Sequence, residues 1–235
     1  MVRVRIVRRA LGASAWGMIA ALALVGWRWT TGNVGVIEPG SIYRSAQLDA
    51  ETLAALIRRR GIRSVLNLRG PNPAADWYPA EREATLSAGA TLIDVPLASD
   101  YWLTPEQAEQ LVEVLDSASR PLLVHCQFGA ERTGLVASMA VLLRPGGSIA
   151  EAEAQFSPYF LFLPIKDGLV MRGLLRQYQR WLADSQAEHS PATFRRWIAE
   201  QYRPGTPNRS QWPYNPYPLR VVTRPADDTG APVHR

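Results

Sequence analysis

The sequence is poor in cysteine: Cys126 is the only one among 235 residues. A single cysteine excludes an intramolecular disulfide and a zinc site built from several thiolates. A lone buried cysteine is most often an inert small hydrophobic residue. In a protein that leaves the cytoplasm, however, an unpaired thiol is unusual enough to raise the question of what it does.

Acidic residues are missing from the first 28 positions, which hold five arginines: Arg3, Arg5, Arg8, Arg9 and Arg28. The whole chain has 26 basic and 21 acidic residues, so the other positions hold 21 of each and carry no net charge. A nucleic-acid-binding protein needs a basic face that neutralises backbone phosphates. The neutral body therefore argues against a nucleic-acid partner.

Charge is also absent from Ala10 to Trp27, a run bounded by arginines on both sides. About 18 uncharged residues are at the lower limit for spanning a bilayer. Because the leading arginines favour a cytoplasmic N-terminus, residues 1–32 are predicted to be a membrane anchor that places the following domain on the periplasmic side. Two alternatives stay open: a secreted protein whose signal is cleaved near Ala21 to Ala23, and a core helix rich in Ala and Gly.

From residue 40 onward, predicted strands alternate with predicted helices. The strands are predicted over 41–44, 62–68, 91–97 and 121–125, and the helices over 49–60, 80–87, 104–117, 134–143, 169–182 and 192–202. This alternation indicates an α/β domain, over 33–202, with a central, mostly parallel sheet flanked by helices. The seven prolines of the tail, 203–235, predict that it has no regular structure. Its aromatic residues are expected to pack on the domain: Trp212, Tyr214 and Tyr217.

The segment from His125 to Gly134 lies between a predicted buried strand and a predicted buried helix. In such a turn, successive backbone N–H groups and the helix N-terminus form a cradle for an anion. The same field favours the thiolate of a cysteine at its base, and the thiolate is the attacking form. Arg132, five residues beyond Gln127, has a guanidinium that can hold two phosphate oxygens. Gly129 permits a tight curve, and Gly134 permits close packing of the helix on the sheet.

This His-Cys-x5-Arg-Thr segment, with a strand before it and a helix after it, resembles the signature of the protein-tyrosine and dual-specificity phosphatase superfamily. Further similar segments are IYRSAQ at 42–47, NLRG at 67–70 and VPL at 95–97. The resemblance implies a phosphoric monoester hydrolase that needs no metal or cofactor and forms a cysteinyl-phosphate on Cys126. It also implies that the amides of the loop bind the phosphoryl group with Arg132, that Thr133 hydrogen-bonds the departing sulfur and that His125 steadies the loop. The loop positions are Gln127, Phe128, Gly129, Ala130, Glu131 and Arg132.

Three carboxylates compete for the role of general acid, which protonates the leaving oxygen. Asp100 follows the VPL strand at the place where the family carries its acid loop, and it is the preferred candidate. Glu131 precedes the loop arginine, as the acid does in some lipid-directed relatives. Asp94 has the usual sequence distance from Cys126 but lies within a strand.

The substrate stays open between a phosphoprotein, a phospholipid and a small phosphoester. Phosphoinositide-directed relatives often carry lysines in the loop, where this chain has Gln127, Ala130 and the acidic Glu131. Arg44 and Arg69 lie at predicted strand ends and are candidates for anion binding, although an exposed or salt-bridged role is the simpler expectation. A different class also remains: a catalytically silent phosphate-binding module that recruits a partner at the membrane. The intact Cys126, Arg132 and Thr133 argue against it.

Overall fold

The computed structural model describes residues 2–206 and 220–225, with side chains from residue 16 onward. A six-stranded sheet forms its centre, in the spatial order β1-β2-β5-β3-β4-β6. The four inner strands are parallel, and the edge strands β1 and β6 are antiparallel to their neighbours. The prediction of a mostly parallel α/β sheet is therefore confirmed. In chain order the strands are Gly35–Glu38, Ile42–Ser45, Ser64–Asn67, Thr91–Asp94, Leu122–His125 and Val221–Thr223.

Helices cover both faces of this sheet. α2 and α3 cover one face with a small apolar cluster that includes Leu56, Val65 and Leu92. The larger cluster on the other face surrounds α5, which is buried along almost its whole length and contacts α4, α8 and α9. The helices are α1 Val2–Thr30, α2 Ala50–Arg60, α3 Trp77–Ser87, α4 Pro105–Ser117, α5 Glu131–Leu143, α6 Ile149–Ala154, α7 Asp167–Met171, α8 Gly173–Ser185 and α9 Pro191–Glu200, with a 3₁₀ turn at Pro158–Phe160 between α6 and α7.

Side-chain caps fix several helix starts where the sequence predicts them. Thr104 and Gln107 form a reciprocal capping box at the start of α4, which the sequence predicts at residue 104. Asp49 lies just outside α2 and accepts a hydrogen bond from the Thr52 amide at 2.8 Å. Gly61, with φ +61°, ends the same helix.

Three predictions about regular structure need correction. The helix predicted over 169–182 is two helices, α7 and α8, which are separated at Arg172. The tail predicted to lack regular structure contributes β6, because Val221–Thr223 falls between prolines and pairs with the free edge of β4. The predicted set of strands began at residue 41 and therefore omitted β1, Gly35–Glu38. The tail aromatics Trp212, Tyr214 and Tyr217 lie outside the described residues.

Helix α1 is longer than the apolar run that predicted it, and its C-terminal end packs against the 3₁₀ turn. Among the residues that the structure describes, no helix has both the length and the apolar character needed to cross a membrane. The predicted anchor spans residues 1–32, so part of it lies outside the described side chains.

Candidate active site

The loop between β5 and α5 has its carbonyl groups turned outward. Four successive carbonyls accept hydrogen bonds from donors that lie outside the loop or further along α5. The pairs are Gln127 O with Gln47 N at 3.1 Å, Phe128 O with Asn33 Nδ2 at 2.9 Å, Gly129 O with Arg44 Nη2 at 2.7 Å, and Ala130 O with Gly134 N at 2.7 Å. In a planar trans peptide the next N–H points opposite to the carbonyl. The amides of residues 128–131 therefore face into the loop, as an anion cradle requires.

Gly129 is necessary for this curve. Its φ is +67°, and a Cβ built on it would lie 2.7 Å from backbone atoms of Ser45 and Ala46. This confirms the predicted role of Gly129. The reason predicted for Gly134 was wrong, because a Cβ there would meet the Phe156 ring at 3.0 Å, and the close approach is to the end of α6 rather than to the sheet.

Cys126 lies at the base of the loop and is buried. Burial alone raises the pKa of its thiol, but the Arg132 charge, the Thr133 hydroxyl and the amides of Thr133 and Gly129 outweigh it, so that the net pKa is lowered. A lowered pKa gives the thiolate that a nucleophile needs. The structure thus brings together three of the predicted site residues: Cys126, Arg132 and Thr133.

Arg132 is half-buried and held by the backbone of two neighbouring loops. Its Nη1 donates to the Leu97 carbonyl at 3.1 Å and to the Leu68 carbonyl at 3.4 Å. These carbonyls lie just beyond β4 and β3. The guanidinium is therefore oriented before any anion arrives, so that less conformational entropy is lost on binding.

A chain of polar side chains begins at the buried His125, directly before Cys126. His125 Nε2 lies 2.5 Å from Glu81 Oε1 of α3, and the other Glu81 oxygen accepts from Gln47 Nε2 at 3.0 Å. Gln47 Oε1 in turn accepts from Arg69 Nη1 at 3.0 Å, and the Arg69 guanidinium lies 3.6 Å over the Trp77 ring. Burial lowers the pKa of His125, but Glu81 more than compensates, and the net pKa is raised. His125, which is predicted to steady the loop, is thus itself held by an ion pair with Glu81.

Arg44 lies beneath the outer side of the loop and is fully buried. It donates to the Gly129 carbonyl and to two oxygens of Gln155, and its guanidinium carbon lies 3.8 Å from the centre of the Phe160 ring. Burial lowers the pKa of Arg44 to about 9, although the nearby Cys126 thiolate acts in the opposite direction. The simpler expectation of an exposed or salt-bridged Arg44 was wrong, because the side chain is buried and donates to uncharged oxygens. It supports the shape of the loop.

Asn33 joins the N-terminal helix to the same loop. Its side-chain amide donates to the carbonyls of Phe128 and Phe160, both at 2.9 Å, and its oxygen accepts from Arg28. The Trp29 ring stacks on Phe128 with centroids 5.7 Å apart. These contacts cross the predicted boundary between residues 32 and 33.

Comparison with known proteins identifies this arrangement. Residues 27–157 match the model of a family described as a DSP-PTPase phosphatase fused to NAD+ kinase, PTP-NADK. The chain belongs to this phosphatase family. No curated protein matches the chain at a significant level.

The phosphatase is also similar to solved structures. TpbA from P. aeruginosa shares 22% identity with a TM-score of 0.51, over 66% of this chain and 92% of TpbA. A cysteine-to-serine variant of TpbA in complex with phosphotyrosine gives 21% identity and the same TM-score and coverage. The core catalytic domain of the PP-IP phosphatase SIW14 from S. cerevisiae has 21% identity and a TM-score of 0.48, over 66% of this chain and 93% of that one. At these identities the TpbA likeness establishes the fold.

The three carboxylates considered for the acid lie in different environments. Asp94 is fully buried and accepts from Tyr78 Oη at 2.6 Å and from Asn67 Nδ2 at 2.7 Å, and burial raises its pKa. Both oxygens of the Asp94 carboxylate are therefore hydrogen-bonded inside the protein. Asp100 lies in the loop between β4 and α4 and Glu131 lies at the first position of α5, and both are half-exposed.

The loop that carries Asp100 is held at both ends. Upstream, the Leu97 carbonyl binds Arg132, and Ser99 Oγ donates to Asp167 Oδ2 at 3.1 Å. Downstream, Trp102 packs against Gly173 and Gly205, where a Cβ would approach its ring to within 2.4 Å. The position of Asp100 therefore depends on contacts that connect its loop to Arg132 and to the C-terminal helices.

Sequence reasoning missed Asn33, Glu81 and Gln155 in this phosphatase. Each acts through a hydrogen bond to a residue at least 34 positions away, and local patterns carry no signal for such pairs. Gln47, which joins Glu81 to Arg69, lies in the IYRSAQ segment, and the resemblance of that segment was the one sequence feature that pointed to it. Among the described residues, no cluster of histidine, cysteine and carboxylate side chains has the arrangement of a metal site.

Proposed function

We propose that this phosphatase is catalytically active and hydrolyses phosphate monoesters in two steps. The Cys126 thiolate attacks phosphorus, the P–O bond to the leaving group breaks, and Asp100 donates a proton to the departing oxygen. Water then attacks the cysteinyl-phosphate, the S–P bond breaks, and inorganic phosphate and the thiolate are released. Arg132 and the inward amides bind the three phosphoryl oxygens throughout.

The observation that carries this proposal is the environment of Cys126. Its pKa is lowered in spite of complete burial, and Arg132 and the loop amides supply the opposing positive field. A silent phosphate-binding module has no need of a thiolate. The phosphotyrosine in the TpbA complex supports an aryl phosphate as one substrate, and phospholipids and small phosphoesters are further candidates.

The test is release of p-nitrophenol from p-nitrophenyl phosphate by the purified full-length chain. Steady turnover is expected, together with nearly complete loss in Cys126→Ser, which should still bind phosphate. Arg132→Lys is expected to be severely impaired, because an ammonium cannot form the two parallel hydrogen bonds by which a guanidinium binds two phosphate oxygens. Phosphate binding without turnover in the unmodified chain would instead identify a recruitment module.

We further propose that α1 holds the catalytic domain at a membrane, on the periplasmic side. The support is the apolar run with its flanking arginines and the exposure of its side chains between Trp16 and Val25. Fractionation should place the full-length chain with membranes. Recovery of the intact chain, with Met1, in the soluble fraction would overturn this placement.

A further inference from the structure

Large apolar side chains are exposed beside the catalytic loop. We call five of them the rim patch: Trp29, Phe128, Tyr159, Leu163 and Ile165. Trp29, Leu163 and Ile165 are each more than half exposed, at 63%, 56% and 59%. A folded protein rarely leaves several such side chains together in water unless they meet a partner or a membrane.

The rim patch is continuous with the active site. Trp29 stacks on Phe128, which is two residues after the nucleophile, and both line one cavity with Leu161. Leu161, Leu163 and Ile165 line the next cavity together with Glu131 of the catalytic loop. The patch therefore lies along the rim of a cleft that these two cavities form beside the catalytic loop.

The rim patch is also continuous with α1. Arg28 lies 4.4 Å from the Tyr159 ring centre and donates to Asn33, so the last turn of α1 is fixed to the patch. Along the rest of α1, Met18, Ile19, Leu22 and Val25 are exposed on one side of the helix, and Trp16 and Trp27 are exposed on the opposite side. Large apolar side chains exposed on two sides of a helix favour an apolar surrounding for that part of it.

A bilayer surface fits this combination better than a protein groove does. Trp and Tyr side chains are enriched where a membrane meets water, and here they follow directly on an apolar helix. The charged groups in the second cavity are Glu131, Lys166 and Asp167, so the patch has no single-sign field that would select a charged protein partner. The composition of the rim patch is therefore that of a surface in contact with the membrane–water interface.

From this arrangement we infer that the rim patch rests on the membrane and that the substrate is a phosphate monoester borne on a lipid headgroup. The inference rests on the proposed phosphatase activity. Because α1 and the loop are clamped together through Asn33, the cleft is held at headgroup level. The lipid is the leaving group: its P–O bond breaks as the S–P bond to Cys126 forms, and its oxygen takes the proton of the acid.

The experiment uses the full-length chain in phosphatidylcholine nanodiscs and measures phosphate release. The probes are phosphatidic acid and phosphatidylglycerol phosphate in the disc, glycerol 3-phosphate in solution, and p-nitrophenyl phosphate. At equal phosphate concentration, at least one lipid probe should be hydrolysed about tenfold or more faster than glycerol 3-phosphate. If p-nitrophenyl phosphate is hydrolysed but neither lipid is, the lipid inference fails and the phosphatase proposal stands. If no probe is hydrolysed, the phosphatase proposal itself fails.

The double variant Leu163→Ser/Ile165→Ser tests the rim patch. It should lower the rate on the lipid probe about tenfold and leave the rate on p-nitrophenyl phosphate within about twofold. Val36→Ser, at an exposed valine on β1, is the matched control and should change neither rate. Equal rates on the lipid probe for the double variant and the control would overturn membrane contact by the patch. Hydrolysis of a membrane-tethered phosphopeptide in place of both lipids would assign the cleft to phosphoproteins and overturn the lipid inference.

Discussion

Glu81 Oε1 lies 2.5 Å from His125 Nε2, and neither side chain reaches solvent. Burial alone would raise the pKa of Glu81 and lower that of His125. The contact between them outweighs burial, with help from Gln47 and Arg69 for Glu81, so the pKa of Glu81 is lowered and that of His125 is raised. His125 directly precedes Cys126, which raises the pKa of His125 further. The Glu81–His125 pair thus lies directly behind Cys126.

Glu81→Gln should shift the pH dependence of catalysis. Without the carboxylate the pKa of His125 falls, the positive charge next to Cys126 is lost, and the pKa of Cys126 rises. Since the thiolate reacts, the ascending limb of kcat/KM against pH should move to higher pH, by about one unit. Glu83→Gln, at an exposed position on the same helix, should leave the limb in place. An unchanged limb in Glu81→Gln would show that the ion pair has only a structural role.

The identity of the general acid can be tested with substrates whose leaving groups differ in their need for a proton. Asp100→Asn should slow hydrolysis of alkyl phosphates by about 10²–10⁴-fold, and it should affect p-nitrophenyl phosphate much less because that leaving group needs little protonation. Loss of the acid should also flatten the descending, alkaline limb of the rate profile. Glu131→Gln is the matched variant. If Glu131→Gln shows the leaving-group dependence and Asp100→Asn behaves like the unmodified chain, the acid belongs to the catalytic loop.

Arg44→Met should destabilise the fold. The substitution removes the Arg44 donor from the buried Gln155 carbonyl and leaves the Gly129 carbonyl only the longer bond from Asn33, at a cost of about 3 kcal/mol in the free energy of unfolding. Urea unfolding followed by tryptophan fluorescence measures the change. Arg58→Met, at an exposed position of α2, should change the unfolding free energy by less than about 0.5 kcal/mol. Equal stability of the two variants would contradict the supporting role of Arg44.

Strand β6 should contribute to the stability of the catalytic domain. A chain that ends at Gly205 exposes the edge of β4 and loses the packing of Val222 on the core, so its Tm should fall by about 5 °C. A chain that ends at Pro225 keeps β6 and serves as the control, with a Tm close to that of the full chain. Identical Tm values for the two truncated chains would mean that the pairing of β6 with β4 does not contribute to thermal stability.

Local patterns were sufficient for the centre of the fold and for the loop that brings Cys126 and Arg132 together. The apolar run of β5, the capping box of α4 and the spacing from Cys126 to Arg132 all act within a few residues, and the structure agrees with them. Strand β6 was missed because its pairing with β4 depends on an edge formed 130 residues earlier. Glu81 was missed for a similar reason, since its partner His125 is distant in sequence and an isolated glutamate on a helix is usually solvated.

Asp94 shows why spacing alone does not identify an acid. Its distance from Cys126 in sequence suits the role, but the strand directs its carboxylate to Tyr78 and Asn67. The choice between Asp100 and Glu131 stays a prediction, because both are half-exposed and close in the chain to groups that line the site.

The solitary, buried Cys126 has a consequence for oxidation. Peroxide converts a thiolate to a sulfenic acid, and many redox-sensitive enzymes protect that product by condensing it with a second thiol. This chain has no other cysteine, so no disulfide within the chain can form at the site. Reduction of an oxidised Cys126 through a mixed disulfide therefore needs a thiol from another molecule, and that thiol must be small enough to enter a loop in which the sulfur is almost completely enclosed.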